Sequence, residues 1–440
     1  MFKHLTDDLG TINHVFHDPG IGFASSTMTT FDGLLKERYI DRDRVETLVY
    51  PKNVLLGMLE KRGDTGMVGR QMPVPIITSN PQGVGGTITA AQGSATALET
   101  DQFVITSGKY SGSISISDEV LAASRNNVGA FLEAKVSEID GLYETHGEML
   151  GLYTWGNGGQ ALGQIGTLSG DNFTLVNASD IGNFERGMTL VASARDGSTA
   201  TDSLRDSGDS TTLSAINRSN GSGTLASAAA ISGLAVGDYL FRKGDFYGDQ
   251  GQRVIVGVQA FVTGTDAPPA LWGIAAATRA LDPQRFAGCR LDPSLLTGLS
   301  IEARIKKLFS QMSSRFKAND PTAVFMNPED FDTLETNMAV KGVRPLEDEN
   351  TQFGYTKIDV MTSSGRIPVY CDRHCPSGIS FALRMSDWWI SSMRELIHVL
   401  NGDGLTMLRS ATANDYEFRI QSYPLLACRA PKNNGRIPLT

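Results

Sequence analysis

The chain has 440 residues with 40% hydrophobic content, too long for one core, since single cores stop growing at roughly 250 to 300 residues. A net charge of −9 excludes a protein whose main work is gripping nucleic acid, which needs clustered Lys and Arg, but not one that encloses it. Four cysteines are too few for a disulfide scaffold, and no apolar run reaches the length of roughly 18 residues that a transmembrane helix needs.

Residues 1 to 30 are polar, carry Asp7, Asp8 and Asp18 where a signal peptide needs an apolar stretch, and read as an extended arm broken by Pro19, Gly20 and Gly22. From Phe31 to Arg62 the spacing of Leu34, Leu35, Val45, Leu48, Val49, Leu55, Met58 and Leu59, interrupted by Pro51, predicts two short helices. Residues 66 to 118 then place β-rich ends around a Gly, Thr and Ala-rich centre, which predicts a long two-stranded arm with a glycine-rich tip. Such a ribbon is marginal alone and needs a neighbour.

The longest helical pattern runs from about Asn127 to Thr154, with Ile139, Leu142, Tyr143, Met149, Leu150 and Tyr153 on its apolar face. Its glycines 129, 141, 147 and 151 each cost about 1 kcal/mol relative to Ala, so tertiary packing must hold it. Residues 164 to 256 alternate turns and strands, and Phe184–Val191 resembles Leu234–Phe241 fifty positions later. This predicts a small inserted barrel of five strands whose ends lie close together. Residues 299 to 317 give another amphipathic helix, and the remainder alternates turns with strands, including a final long strand from Tyr416 to Pro431. The class is α+β with β in excess.

Few residues suggest chemistry. Cys371, Asp372, His374 and Cys375 lack the second cysteine pair of a structural zinc site and read as surface-loop residues. His146, between Glu144 and Glu148, lacks the Glu-x-x-His spacing of bundle metal sites and reads as a helix flank near a subunit contact. Gly83, Gly85 and Gly86 are followed by no Gly-Lys-Ser or Gly-Lys-Thr and no helix is expected to open there, which excludes a phosphate cradle. No catalytic, cofactor-binding or metal-binding residue is assigned.

The order of arm, long β loop, long helix, insert, helix and strand-rich end resembles the major capsid proteins of tailed phages, the Hong Kong ninety-seven fold. Three stretches carry the resemblance: Ala323–Phe331 with its Asn-Pro-x-Asp turn, Gly365–Asp372 leading to Asp387–Ile390, and Tyr416–Pro431 with its Arg-Ala-Pro ending. They cover about the last 120 residues closely, and the element order extends the likeness over residues 31 to 320. The resemblance implies an N-terminal arm with short helices (1–65), an extended loop (66–118), the spine helix of a peripheral domain (119–163), the inserted barrel (164–256), and an axial domain with the remaining peripheral strands (257–440).

It further implies a structural, non-enzymatic subunit without cofactors. The subunit would self-assemble through hexamers and pentamers into an icosahedral shell around double-stranded DNA, with scaffold, portal and cement or decoration proteins as partners. Its place would be the virion capsid, assembled in the host bacterial cytoplasm and without a membrane. An encapsulin nanocompartment shell of the same fold is the first alternative. A β-rich carbohydrate-binding surface protein is the second, although residues 164 to 256 contain no Trp for a sugar to stack on. No lysine lies between Lys61 and Lys109, so the lysine-to-asparagine isopeptide bonds known in some members of that family are not expected.

Overall fold

The computed structural model describes residues 53–63, 66–117, 128–247, 253–340, 357–401, 404, 407–409 and 415–439. The predicted arm and the first of the two short N-terminal helices lie outside these residues. The second helix is α1, Val54–Met58, followed by β1, Glu60–Arg62. Helices and strands are mixed, in keeping with an α+β chain.

Strands β2 (Gln71–Ser79) and β3 (Glu99–Thr106) form the expected antiparallel ribbon, with α2 (Ile88–Gly93) at its tip. The ribbon is shorter than expected. After Thr106 the chain turns, and β4 (Tyr110–Ser117) pairs instead with a strand 300 residues away, Asp415 lying opposite Ser117.

The predicted long helix is α3, Val128–Trp155, about 42 Å at 1.5 Å per residue. Its glycines have a packing reason where α1 arrives. A Cβ on Gly151 would sit 2.0 Å from Asn53 Oδ1, and Asn53 Nδ2 donates to the Gly147 carbonyl at 3.2 Å.

The insert is a closed barrel of six strands, not five: β5 (Gly163–Ser169), β6 (Asn172–Leu175), β7 (Thr189–Ser193), β8 (Thr211–Asn217), β9 (Ser222–Leu225) and β10 (Tyr239–Arg242). Around the ring the order is β10-β5-β6-β9-β8-β7. The turn between β5 and β6 is only Gly170 and Asp171, so the pair is easily counted as one segment.

The fifty-residue echo is a structural two-fold. Asn172 pairs with Thr224, Phe173 with Gly223 and Thr174 with Ser222, so adding fifty to either strand reproduces the register of the other. Leu190, Val191 and Ala192 pair with Arg242, Phe241 and Leu240 in the same reciprocal way. Each half-barrel gives its third strand to the other half, since β7 pairs with β8 and β10 with β5.

Beyond the barrel come α4 (Val258–Phe261), α5 (Ala276–Leu281), α6 (Pro283–Ala287), β11 (Cys289–Arg290) and α7 (Ile301–Ser314). Ser300 caps α7 by accepting from the Ala303 N–H, and Ile301, Ile305, Leu308, Phe309 and Met312 form its buried stripe. Strand β12 (Ala323–Met326) leads into α8 (Pro328–Val340), then β13 (Lys357–Thr362), β14 (Gly365–Cys371) and β15 (Ile379–Leu383). Asn327 caps α8 through the Glu329 N–H, while Asp330 reaches away to the Gly378 N–H.

The predicted final strand is two strands in two sheets. β19 (Asp415–Ser422) lies between β4 and the short β17 (His398–Val399) and β18 (Met407–Arg409), whereas β20 (Pro424–Cys428) pairs with β16 (Trp388–Ser392), which in turn pairs with β1. The switch falls at Tyr423, whose carbonyl accepts from Ser107 Oγ, while the Pro424 carbonyl accepts from the Gly108 N–H.

The tail is β21 (Gly435–Pro438), which completes a six-stranded sheet of order β11-β21-β15-β12-β14-β13. Val324, Met326, Val360 and Val369 from this sheet share one core with α7 and α8. On its other face Phe325 and Phe381 each lie 5.5 Å from the ring of Trp155, the last residue of α3.

Phe173 sits on the barrel's pseudo-dyad, where a Cβ on its partner Gly223 would lie 2.6 Å from the Phe173 ring. One phenyl group therefore serves both halves, and Phe173→Ala should cost about 3–5 kcal/mol. Hydrogen exchange checks this: protection at Leu213 and Leu225 should fall together, while that of α7 should stay unchanged.

Candidate assembly surface and its supporting pins

The ribbon is two-faced. Met72, Val74 and Ile76 of β2 and Phe103 and Ile105 of β3 are buried against the body, where Phe103 meets the edge of Phe261 with centroids 5.7 Å apart. The Val104 N–H donates to the Trp272 carbonyl at 2.9 Å, and Arg285 Nη1 donates to the Thr78 carbonyl. Pro73 and Pro75 stand at alternate positions of β2 facing Val104 and Gln102 across the ladder. Proline fits a strand only where its missing N–H points outward, so the outer edge is blunted against another strand.

Past Thr78 the ribbon leaves the body and ends in a folded tip. Thr87 Oγ1 accepts from the Ala90 N–H and caps α2, so a helix does open in the glycine-rich stretch, contrary to the sequence expectation. Gly85 is needed there, because a Cβ would sit 2.8 Å from the Ala91 nitrogen. Thr96 Oγ1 accepts from the Gln82 N–H at 2.9 Å and ties the two limbs together. The tip displays Val84 at 80% exposure and Ile88 at 78%, with Ile77 and Leu98 beside them. Gln71 to Leu98 contains no charged residue. Lys109 is exposed in the turn between β3 and β4, at the base of the ribbon and away from this tip.

Under the ribbon the body is fastened by buried polar groups. The Cys371–Cys375 stretch is not a surface loop: Asp372 is 1% exposed, and His374 and Cys375 are buried beside it. Asp372 Oδ2 accepts from the Leu55 N–H at 3.1 Å and from Trp155 Nε1 at 3.2 Å, while Oδ1 accepts from the His374 N–H at 2.9 Å. Burial raises its carboxyl above the usual range, and these three donors oppose that rise. Burial pushes the Cys371 thiol up to about 11 and the Cys289 thiol up to about 12, which leaves both as poor nucleophiles.

His146 is likewise interior rather than a flank, since its side chain is buried on α3. Its Nε2 hydrogen-bonds Ser422 Oγ at 2.6 Å and its ring lies 4.5 Å from that of Tyr110. Helical period in fact places His146 on the apolar face, four after Leu142 and four before Leu150, so its burial is readable there; nothing local reveals the hydroxyl that satisfies it from 276 residues away. Among the described residues no group of three or more His, Cys, Asp or Glu side chains could hold a metal ion, and no helix is long and apolar enough to cross a membrane.

No family model matches the sequence, and no curated protein matches it. Several solved structures are similar. The capsid of cyanophage A-1(L) is 12% identical over 89% of this chain and 93% of that one, with a TM-score of 0.49. A structure from Mycobacterium phage Ogopogo is 9% identical over 88% and 92%, at 0.41. The holo-SrpI encapsulin complex from Synechococcus elongatus is 8% identical over 90% and 89%, also at 0.41.

Two outcomes test the pins. Asp372→Ala strands three buried donors, the Leu55 and His374 N–H groups and Trp155 Nε1, at about 1–3 kcal/mol each, and should lower the urea midpoint more than Asp372→Asn. The second concerns pH. Burial depresses His146 and His374 to about 3, with Arg242 and Arg373 respectively adding to the effect. The unfolded chain takes up these protons near 6.5, so it binds more of them throughout that window and stability is lost as pH falls from 6.5 toward 3. Asp180 and Asp245, pushed up to about 6 by burial, act oppositely but only between 6 and 3.8. Within that narrower window the two carboxyls nearly offset the two histidines, so the clean readout is the difference between two chains. As pH falls from 7 to 4 the urea midpoint of the parent should drop relative to that of His146→Gln, which lacks one of the buried imidazoles.

Proposed function

We propose that this chain is the structural subunit of an icosahedral shell of the tailed-phage capsid type, forming hexamers and pentamers around double-stranded DNA. The observation that carries the reading is the folded, uncharged ribbon tip. In a protein of net charge −9, a stretch that holds Val84 and Ile88 in water, on a stem locked to the body, has a use only if another subunit covers it. The order of elements and the Asn-Pro-x-Asp, Arg-Ile-Pro-Val and Arg-Ala-Pro stretches support the same reading.

In this reading the ribbon is the extended loop lying over a neighbour, and α3 with the β4–β19 sheet is the peripheral domain. The six-stranded sheet with α7 and α8 is the axial domain at the capsomer centre, and the barrel is the insert. Repetition of one heterologous contact closes rings, and the rings close the shell. No residue is assigned a catalytic, cofactor or metal role. Scaffold, portal and cement proteins belong to the proposal as partners.

Microscopy of the purified protein should show icosahedral particles or rings of five and six. Val84→Asp with Ile88→Asp should leave a folded subunit that sediments as a monomer, because each change places a charge in a contact that excludes water. A monodisperse monomer from the parent chain across concentration and salt would sink the reading. Nucleic acid protected from nuclease inside the particles separates a genome shell from an enzyme-filled compartment. Boiled mature particles should run as one band near 47.3 kDa, since the ribbon contains no lysine and Lys109 lies at its base.

A further inference from the structure

We infer that the segment between the two half-barrels, residues 194 to 210, is a strap that locks the barrel at a fixed angle to the body. The barrel's two-fold shows that the strap is an addition. All six strands and both reciprocal registers lie outside it, and the ring is already closed without it.

Its contacts fall in two groups. One fastens it to the barrel: Arg205 grips the buried Asp238 through Nε and Nη2, at 3.0 and 2.7 Å, and Ser193 Oγ donates to the Ser203 carbonyl at 2.8 Å. The other fastens it to the two chain segments through which the barrel joins the body. Asn157 Nδ2 donates to Asp196 Oδ2 at 2.7 Å on the entering segment, and Arg253 Nη2 donates to the Ser198 carbonyl at 2.9 Å on the leaving one.

The fit against the entering segment is close. A Cβ on Gly159 would lie 2.0 Å from the Asp196 carbonyl oxygen, and one on Gly197, at φ +73°, would lie 2.9 Å from the Gly159 carbonyl oxygen. Two backbones meet face to face there, and only glycine on both sides permits it. Beyond the strap, the Tyr153 hydroxyl donates to Asp245 Oδ2 at 2.7 Å, and Arg242 of β10 hydrogen-bonds Tyr110 of β4. Both are bonds between side-chain ends; the strap adds a close backbone fit to the entering segment and a bond to the leaving one, and so fixes the angle. The inference rests on the geometry of the single chain and stands whether or not the chain forms a shell.

The test uses the full chain with Cys371→Ser to limit background labelling, and spin labels at Thr145→Cys on α3 and Ser219→Cys at a barrel turn, both exposed positions. Pulsed dipolar spectroscopy should give one narrow distance distribution. Gly159→Ala, and separately Asn157→Ala with Asp196→Ala, should at least double its width, while hydrogen-exchange protection of Leu190, Leu213 and Leu240 stays at the parental level. Gly182→Ala, which adds a methyl group in open space on the barrel, should leave the width unchanged. A width that stays narrow in both strap variants would overturn the inference. So would a broad distribution in the parent chain, or loss of barrel protection in the strap variants, which would make the strap part of the barrel's own fold.

Discussion

One buried carboxylate organises the body of this protein. Asp372 receives the first turn of α1, the indole at the end of α3 and its own loop, and so brings together segments 317 and 217 residues apart in sequence. An uncompensated buried carboxylate is expensive, whereas one with its donors in place fixes a single arrangement. With the Trp155 ring held, Phe325 and Phe381 have a surface to pack on, and the six-stranded sheet is thereby joined to the long helix. The ribbon and the barrel both hang on this frame.

Polarity is distributed against intuition. Asp372, His374, Cys375 and His146 are sequestered in the interior, and the exposed tip carries Val, Ile and Leu without charge. The four buried groups hold segments together, and the exposed ribbon tip is apolar.

Helices α3 and α7 and the two-stranded ribbon were legible in the sequence because each is written in a local period, 3.6 or 2, over many residues. The breaks were not. Tyr423 divides β19 from β20 because Ser107 and Gly108 take up the carbonyls of Tyr423 and Pro424 from more than 300 residues away. The burial of Asp372 was missed for the same reason: its partners are distant in sequence, and a charged side chain is ordinarily a surface residue. That of His146 was legible in the helical period, four after Leu142 and four before Leu150, and was passed over because an imidazole has a polar edge. The barrel's repeat was visible as Phe184–Val191 echoing Leu234–Phe241, yet its meaning as an exchange of third strands lies in the pairing, which periodicity does not encode.

That exchange has a consequence for how such an insert could be gained. Because β10 is donated back to β5, Leu240 near the end of the barrel lies opposite Gly163 at its beginning. The excursion returns the chain to the place where it left, so the whole module occupies no more room in the parent backbone than a short turn. A module whose ends lie this close can be gained, enlarged or exchanged for another without changing the path of the backbone around it.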